Sequence, residues 1–193
     1  MEKGSYGYMD HYKRNKLLVS AVFLVLIAVG IIAILLLCKT KNTFYIVIPI
    51  VLALPFAKFF VSFIVVQPYV TMAKESYAKV DAFVQEQDHV IAIYDVTLAS
   101  EAGISYLDFA LIIDGVIYAC ASHSNHKFMP DDIRDYLEEI VKNAGYAEHA
   151  FVYQSVDETL QAAKKRMQTV SDAHAFRDKR SENIKKAILV MNV

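Results

Sequence analysis

The chain has 193 residues, of which 55% are apolar and 21% charged, and its formal net charge is −1. Residues 1–72 contain seven Lys and Arg and two acids, whereas residues 73–193 contain thirteen and nineteen. This acidic C-terminal part argues against a nucleic-acid partner, because phosphate backbones are bound by clustered basic side chains. Two cysteines, Cys38 and Cys120, are too few for a disulfide framework, and we expect no bond between them.

Two apolar runs near the start predict a transmembrane helical hairpin over residues 17–66. Residues 17–38 contain no charge, residues 43–66 contain one, and four residues separate the runs. A bilayer core needs about 20 apolar residues of helix, so each run is long enough to span it. The first run exceeds the roughly 7–15 apolar residues of a signal peptide, which predicts an uncleaved helix. The lipid bilayer is therefore an expected partner.

Basic residues flank the hairpin more heavily than they occupy its loop. Lys and Arg favour the cytoplasmic side of a membrane. Six of them lie within reach on the outer flanks and two in the loop; they are Lys3, Lys13, Arg14, Lys16, Lys74 and Lys79 against Lys39 and Lys41. We therefore expect a two-span protein of the cell or inner membrane, with residues 1–16 as a cytoplasmic N-terminal segment and both termini in the cytoplasm.

The second run contains the polar candidate of the membrane part. Pro49 and Pro55 interrupt it, and a proline inside a helix removes a hydrogen bond and kinks the axis. Lys58 follows, and an ionisable residue inside a span is a functional-site hypothesis. The alternative, which we favour, is that Lys58 snorkels, since it lies about 12 Å of helix from Val66 and a lysine stem covers much of that distance. The prolines and Lys58 also favour a membrane-protein partner.

The sequence after the hairpin predicts a cytosolic α+β domain over residues 71–193, in the order α-β-β-β-α-β-α with an antiparallel meander. The expected elements are a helix over 71–86, strands over 90–98, 104–113 and 116–122, a helix over 131–143, a strand over 150–153 and a helix from 156 to about 175. The charged residues 177–182 are expected in solvent. Residues 183–193 fit either a strand or a helix.

Four local signals fix the ends of these elements. Asp114–Gly115 is typical of the type I′ turn of a β-hairpin. Pro130 suits a first helical turn, and Gly145 suits a helix C-terminus. The segment 155–158, Ser-Val-Asp-Glu, matches a helix-opening capping box.

The order αβββαβ over residues 71–153 resembles the core of the PD-(D/E)xK nuclease superfamily, which includes membrane-tethered members. The relevant sequence is Asp108-Phe109-Ala110-Leu111-Ile112-Ile113-Asp114-Gly115-Val116-Ile117-Tyr118-Ala119-Cys120-Ala121-Ser122-His123. Asp108 matches the acid that active members carry on the second strand. Their third-strand acid would fall near Ala121 and their lysine near His123, and neither residue matches. Because a hard cation needs several oxygen ligands, the resemblance implies an inactive relative.

The chain is also similar to small two-span membrane proteins of Gram-positive bacteria. The likeness rests on the Pro-x-x-Lys feature at Pro55–Lys58 and on the strand Tyr94-Asp95-Val96-Thr97-Leu98. It implies the architecture of an anchored domain and no activity.

Asp95 and Asp108 are the candidate metal ligands of the soluble domain. Each interrupts an apolar strand. A turn centred between Glu101 and Ala102 would make them cross-strand neighbours, and two carboxylates that close repel unless they share a proton or a cation. The alternative is that one faces solvent or bonds a backbone or tyrosine partner, since a register slip of one residue separates the pair. We favour this alternative.

Two further patterns are considered and not favoured. Cys120, His123 and His126 have zinc-ligand spacing, but a closed site needs a fourth ligand. Ser122 and Ser124 beside His123 lack the Gly-x-Ser-x-Gly elbow of a serine hydrolase. We expect no catalytic residue here.

The glycines form no phosphate-binding loop, so we expect no cofactor. The basic cluster at residues 164–166 is expected to be solvated, with contact to anionic lipid headgroups as the alternative. The leading functional hypothesis is a non-catalytic interaction or scaffolding module at the cytoplasmic membrane face. The alternatives are a diverged metal-dependent hydrolase using Asp95 and Asp108, and an accessory subunit of a transport or export complex using Lys58.

Overall fold

The computed structural model describes residues 1–37, 47–87, 89–100, 103–122, 130–146, 149–169 and 175–192. The elements are α1 (Tyr8–Leu37), α2 (Val47–Val66), α3 (Lys74–Gln85), β1 (Val90–Ser100), β2 (Gly103–Ile113), β3 (Val116–Cys120), α4 (Pro130–Asn143), β4 (Ala150–Tyr153), α5 (Val156–Met167) and α6 (Ala175–Met191). They form two compact units. The helical unit is Met9–Val70, and the globular unit is Met1–Tyr8 together with Thr71–Val193.

The helical unit contains α1 and α2, which pack antiparallel. The rings of Phe23 and Phe59 stack at 5.8 Å near the middle of the pair. At the end of α2, the Lys13 ammonium donates to the Gln67 carbonyl at 3.1 Å and also to the Tyr69 carbonyl. A cation at this position satisfies carbonyls that have no partner inside the helix.

Both helices are long and apolar enough to cross a membrane, as judged by length and composition. Their apolar side chains point outward, and Leu36 and Leu54 are 73% and 71% exposed. An apolar surface of this extent needs lipid or protein to cover it. Of the two prolines, only Pro55 lies inside α2; Pro49 lies in the first turn, where a missing N–H costs no intrahelical bond.

The globular unit is built on a four-stranded mixed sheet in the order β1-β2-β3-β4. The first three strands form the predicted antiparallel meander, and β4 pairs parallel to β3. Asp114 and Gly115 have φ angles of 52° and 80°, which confirms the predicted type I′ turn. Ser100 pairs with Gly103, so a two-residue connection joins β1 to β2 as expected.

Helices cover both faces of this sheet and make a three-layer sandwich. We call the two interiors the α4/α6 core and the α3/α5 core. The buried residues of the α4/α6 core include Ile93, Val96, Leu98, Leu107, Ala110, Ile112, Ile133, Leu137, Ile140, Ile184 and Ile188. Those of the α3/α5 core include Val80, Phe83, Val90, Tyr94, Phe109, Leu111, Tyr118, Cys120 and Leu160. The α+β class expected from the sequence is confirmed.

The helix termini differ from the sequence prediction in several places. Helix α3 begins at Lys74 rather than at residue 71. Ser155 has the extended backbone of an N-cap, but its side chain makes no capping hydrogen bond; Thr159 instead donates its hydroxyl to the Ser155 carbonyl at 2.8 Å. Helix α4 begins at Pro130, and Gly145 follows it with φ 87°, both as predicted.

The C-terminal part is the largest departure from the sequence prediction. Helix α5 ends at Met167 rather than near residue 175. The charged stretch 177–182 lies within the additional helix α6, where Lys179, Arg180 and Glu182 are exposed to solvent as expected. The open choice for residues 183–193 resolves into helix as far as Met191, after which Asn192 forms a single antiparallel bridge to Leu98. The extra helix completes the layer beside α4, and Ile184 and Ile188 are fully buried there.

Candidate functional site

Asp95 and Asp108 lie at the same level of β1 and β2. The ladder pairs residues 90–94 with 109–113 and residues 96–100 with 103–107, which leaves these two aspartates between the paired stretches. The register is therefore the one predicted from the turn. Both side chains are fully buried.

The side-chain alternation of both strands shifts at the two aspartates. Ile93 and Val96 both belong to the α4/α6 core although they are three residues apart, and the same is true of Leu107 and Ala110. Asp95 also has a φ of 52°, which is uncommon for a residue other than glycine. One residue of each strand is therefore left out of the ladder at the same level, and the register is the same on both sides of it. We call this irregularity the double bulge, because like a β-bulge it re-aims the side chains although neither strand has an extra residue relative to the other.

The carboxylate of Asp95 is held by two hydroxyl donors. Tyr106 donates to Oδ1 at 2.6 Å from the neighbouring strand, and Thr71 donates to Oδ2 at 2.9 Å from the segment that precedes α3. Tyr106 is fully buried as well. These hydrogen bonds engage both oxygens of the buried carboxyl group, and hydrogen bonding offsets the cost of burying a polar group.

The carboxylate of Asp108 is held by Ser122, which follows the end of β3. The backbone N–H and the hydroxyl of Ser122 both donate to Oδ2 at 2.7 Å. The Ser122 hydroxyl thus serves a neighbouring acid in the way that a structural serine does. Ser124, the other serine considered as a nucleophile, lies outside the described residues.

A hard cation takes six or more oxygens, so two aspartates would hold one only with most of its ligands supplied by water or substrate. Within the described ranges, no group of three or more His, Cys, Asp and Glu side chains converges in a way that could hold a metal. The hydroxyls that surround Asp95 and Asp108 act as hydrogen-bond donors toward the carboxylates. The arrangement can hold two buried acids in fixed orientations and, by its geometry, stabilise the double bulge.

Cys120 is a buried thiol on β3. Its environment is closed, because it is fully buried in the α3/α5 core. Burial, and after it the negative charge of Asp108, raises the pKa of the Cys120 thiol to about 12. A metal ligand or nucleophile must be a thiolate, so this setting disfavours both roles. The partners proposed for zinc, His123 and His126, lie outside the described residues.

Lys58 is exposed on α2, three residues after Pro55. The Ser62 hydroxyl donates to its carbonyl at 2.8 Å, one helical turn further along. Across the portions of the chain with described coordinates, no acid forms an ion pair with Lys58. This position is compatible with the snorkelling interpretation and with an acid supplied by another protein.

The sequence does not reveal a groove between α3 and α5, which encloses about 500 Å³. Its floor includes Phe83 and Leu160, and Lys79 and Asp157 form an ion pair of 3.1 Å at its rim. Lys164 also lines it, so one member of the predicted basic cluster belongs to this groove. The groove exists only because the two helices pack side by side, and no sequence motif in either helix predicts it.

Arg166 lies at the other end of the basic cluster and makes a specific contact. Arg166 donates from Nη2 to Asp114 Oδ2 at 3.0 Å, which ties the end of α5 to the β2–β3 turn. Lys164 and Lys165 are exposed, as expected of a solvated face, whereas Arg166 is half-buried.

Comparisons with known proteins identify no relative. No protein-family model, no curated protein and no solved structure matches the chain. The resemblances to PD-(D/E)xK nucleases and to two-span proteins of Gram-positive bacteria thus remain predictions from the sequence.

Proposed function

We propose that this protein is a membrane-anchored interaction module without catalysis of its own, whose globular unit lies at the cytoplasmic face. The observation that carries the proposal is that the two acids within the sheet are buried and hydrogen-bonded. Asp95 and Asp108 are fully buried and accept hydrogen bonds from Tyr106, Thr71 and Ser122 of their own unit. Acids that are enclosed and satisfied in this way stabilise a fold rather than meet a substrate.

The anchoring part of the proposal is supported by the two exposed apolar helices and by the composition of the globular unit. Residues 1–8 belong to the same compact unit as the residues that follow α2. A chain that leaves this unit at residue 8 and rejoins it at residue 71 must cross a bilayer an even number of times. Together with the basic flanks, this supports two spans with both termini in the cytoplasm.

The groove between α3 and α5 is the surface that we assign to a protein partner. It combines an apolar floor at Phe83 and Leu160 with the charges of Lys79, Asp157 and Lys164 at its sides. Protein interfaces combine an apolar centre with a polar rim in this manner, and partially paired charges of both signs give them specificity.

The test is co-purification from native membranes after mild detergent extraction. The wild-type chain should retain a defined partner that is lost when Lys79 and Lys164 are both replaced by Glu. Lys142→Glu on α4 is the matched control, because Lys142 is an exposed lysine that does not line the groove. A monomeric mass with nothing retained, or equal retention by all variants, would contradict the proposal.

A diverged metal-dependent hydrolase is the second candidate, since two carboxylates do lie at one level of the sheet. It requires that millimolar Mg²⁺ or Mn²⁺ raise the melting temperature of the protein and that Asp108→Asn abolish the rise. The interaction module predicts no cation effect in either protein.

An accessory subunit of a transport complex is the third candidate, supported by the exposed position of Lys58 on α2. In that case Lys58→Leu should disrupt co-purification with membrane subunits, whereas a snorkelling lysine tolerates the change. Lys58→Arg, which retains the charge, is the control.

A further inference from the structure

The first residues of the chain form part of the globular unit. We call residues 1–7 the N-terminal strap. The Gly4 carbonyl accepts a hydrogen bond from the Tyr94 N–H of β1 at 2.8 Å. The strap therefore lies along the outer edge of the sheet, since β1 is the first strand in the sheet order.

Gly4 allows the backbone of the strap to pass close to the sheet and to α6. Its φ is 81°, a conformation that residues with a Cβ rarely adopt. A Cβ at this position would lie 2.6 Å from Ile93 Cγ2 and 2.8 Å from Leu189 Cδ2. Conformation and space therefore both require glycine here.

Side chains on either side of Gly4 anchor the strap to distant parts of the unit. The Lys3 ammonium donates to the Asn192 carbonyl at 2.6 Å. The ring of Tyr6 stacks on Tyr77 of α3 with 4.0 Å between centroids, and its hydroxyl donates to the Met72 carbonyl at 3.1 Å. Three separate segments thus hold the strap.

The strap and the C-terminus together close the edge of β1 around the bulge. Tyr94 and Thr97 flank the bulged Asp95, and their amides point away from β2. The Tyr94 amide is bonded by Gly4, and the Thr97 amide by Asn192 Oδ1 at 3.0 Å. An unpaired edge strand is a template for pairing with another chain, and covering it prevents that.

We propose that the strap is an integral docking segment, so that the hairpin is an insertion within one discontinuous domain and the domain is complete only after both helices have crossed the membrane. The docking of the strap stands on contacts within the globular unit alone. The coupling to membrane insertion rests on the proposed anchoring. A chain whose second helix fails to insert would leave the β1 edge open to a second copy of the chain.

The docking is tested by hydrogen exchange of the full-length protein in detergent micelles. Gly4→Ala should accelerate exchange of the Tyr94–Leu98 amides at least tenfold and leave the β3 amides protected. Gly145→Ala is the matched control, because Gly145 has φ 87° and a Cβ there meets no atom within 4 Å. Equal protection of the β1 edge in both variants would overturn the docking.

Cross-linking keeps the proposal testable if Gly4→Ala fails to fold. In a Cys38→Ser background, Lys3→Cys combined with Met191→Cys should give an intramolecular product with a short bis-maleimide in micelles, because Met191 is exposed and adjoins Asn192, the partner of Lys3. No product, or a product between chains, would overturn the docking.

The coupling is tested with the same cross-link in native membranes. Adding Val51→Arg and Leu54→Arg to disable the second span should abolish the product, because the two cysteines would then lie on opposite sides of the bilayer. A product that persists in membranes overturns the coupling and leaves the docking intact. If the wild-type protein still co-purifies with its partner in that case, the proposed interaction module stands although the coupling to membrane insertion has failed. The two proposals can therefore be contradicted separately.

Discussion

Asp95 and Asp108 illustrate how buried acids can be structural. Each interrupts an apolar strand at the point where the alternation of the two strands shifts, and each is bonded by hydroxyl or amide donors of the same unit. Removing one donor would leave a buried carboxylate less well satisfied, which costs more than the net value of an ordinary hydrogen bond. Deleting a single donor atom should therefore lower the free energy of unfolding by a measurable amount.

Tyr106→Phe deletes the hydroxyl that donates to Asp95 and should lower the free energy of unfolding by about 1.5–3 kcal/mol. The comparison variant is Tyr136→Phe, whose partly exposed hydroxyl donates to the neutral Ala99 carbonyl and should cost less. Denaturant unfolding of both variants gives the two values. Combined with Asp95→Asn, the Tyr106 change should be non-additive; additive costs would mean that the two side chains do not interact.

The Cys120 thiol gives a prediction about pH. Its pKa is raised to about 12, whereas an unfolded thiol ionises near pH 8.5. Between these values the native state keeps a proton that the unfolded state has lost, so stability falls as the pH rises. The wild type should lose stability more steeply than Cys120→Ala between about pH 9 and 12, as measured by urea unfolding at several pH values. Parallel slopes would contradict the assignment.

At the scale of elements, the β2–β3 hairpin separates the effects of backbone conformation and charge. Asp114 and Gly115 both have positive φ, and Asp114 also pairs with Arg166. The pair is partly exposed, and such pairs contribute little. The turn geometry should therefore matter more than the ion pair.

Asp114→Asn keeps a residue that tolerates positive φ and removes the charge, so it should cost about 1 kcal/mol or less. Gly115→Ala keeps the ion pair and strains the turn, so it should cost about 1 kcal/mol or more. Thermal unfolding of the two variants at low and high salt tests the ranking. Only the Asp114→Asn difference should shrink with salt, since the change at Gly115 involves no charge.

Elements that local chemistry specifies were predictable from the sequence. Asp114–Gly115 and Gly145 require positive φ, and the connection at residues 101–102 fixes the level at which Asp95 and Asp108 meet. The double bulge was not predictable, because it depends on donors brought from Thr71 and Ser122. Helix α6 was left undecided from the sequence, because residues 183–193 fit either a strand or a helix and only packing beside α4 decides between them.

At the scale of the whole molecule, the feature of consequence is that the chain leaves the globular unit and returns to it. The helical unit is an insertion within the globular unit rather than an appendage before it. This distinguishes the protein from one whose apolar helices precede the globular part on a flexible linker, in which the globular part would be complete without residues 1–8. It also constrains the orientation of the termini.

Single cysteines at Glu2 and Lys142, both exposed positions, should be protected from a membrane-impermeant maleimide in sealed right-side-out vesicles. Both should react after permeabilisation, because the proposed topology puts them in the cytoplasm. Labelling of denatured protein controls for intrinsic reactivity. Reaction of the two positions on opposite sides would contradict the two-span arrangement.

The strap also has a consequence for the order of events during synthesis. Lys3 is synthesised 189 positions before its partner Asn192. The strap is thus made long before the segment that holds it, and until that segment is made the β1 edge lacks its full cover. Contacts of such long sequence separation form slowly, so the chain is open to association at this edge until α6 has been made and has packed.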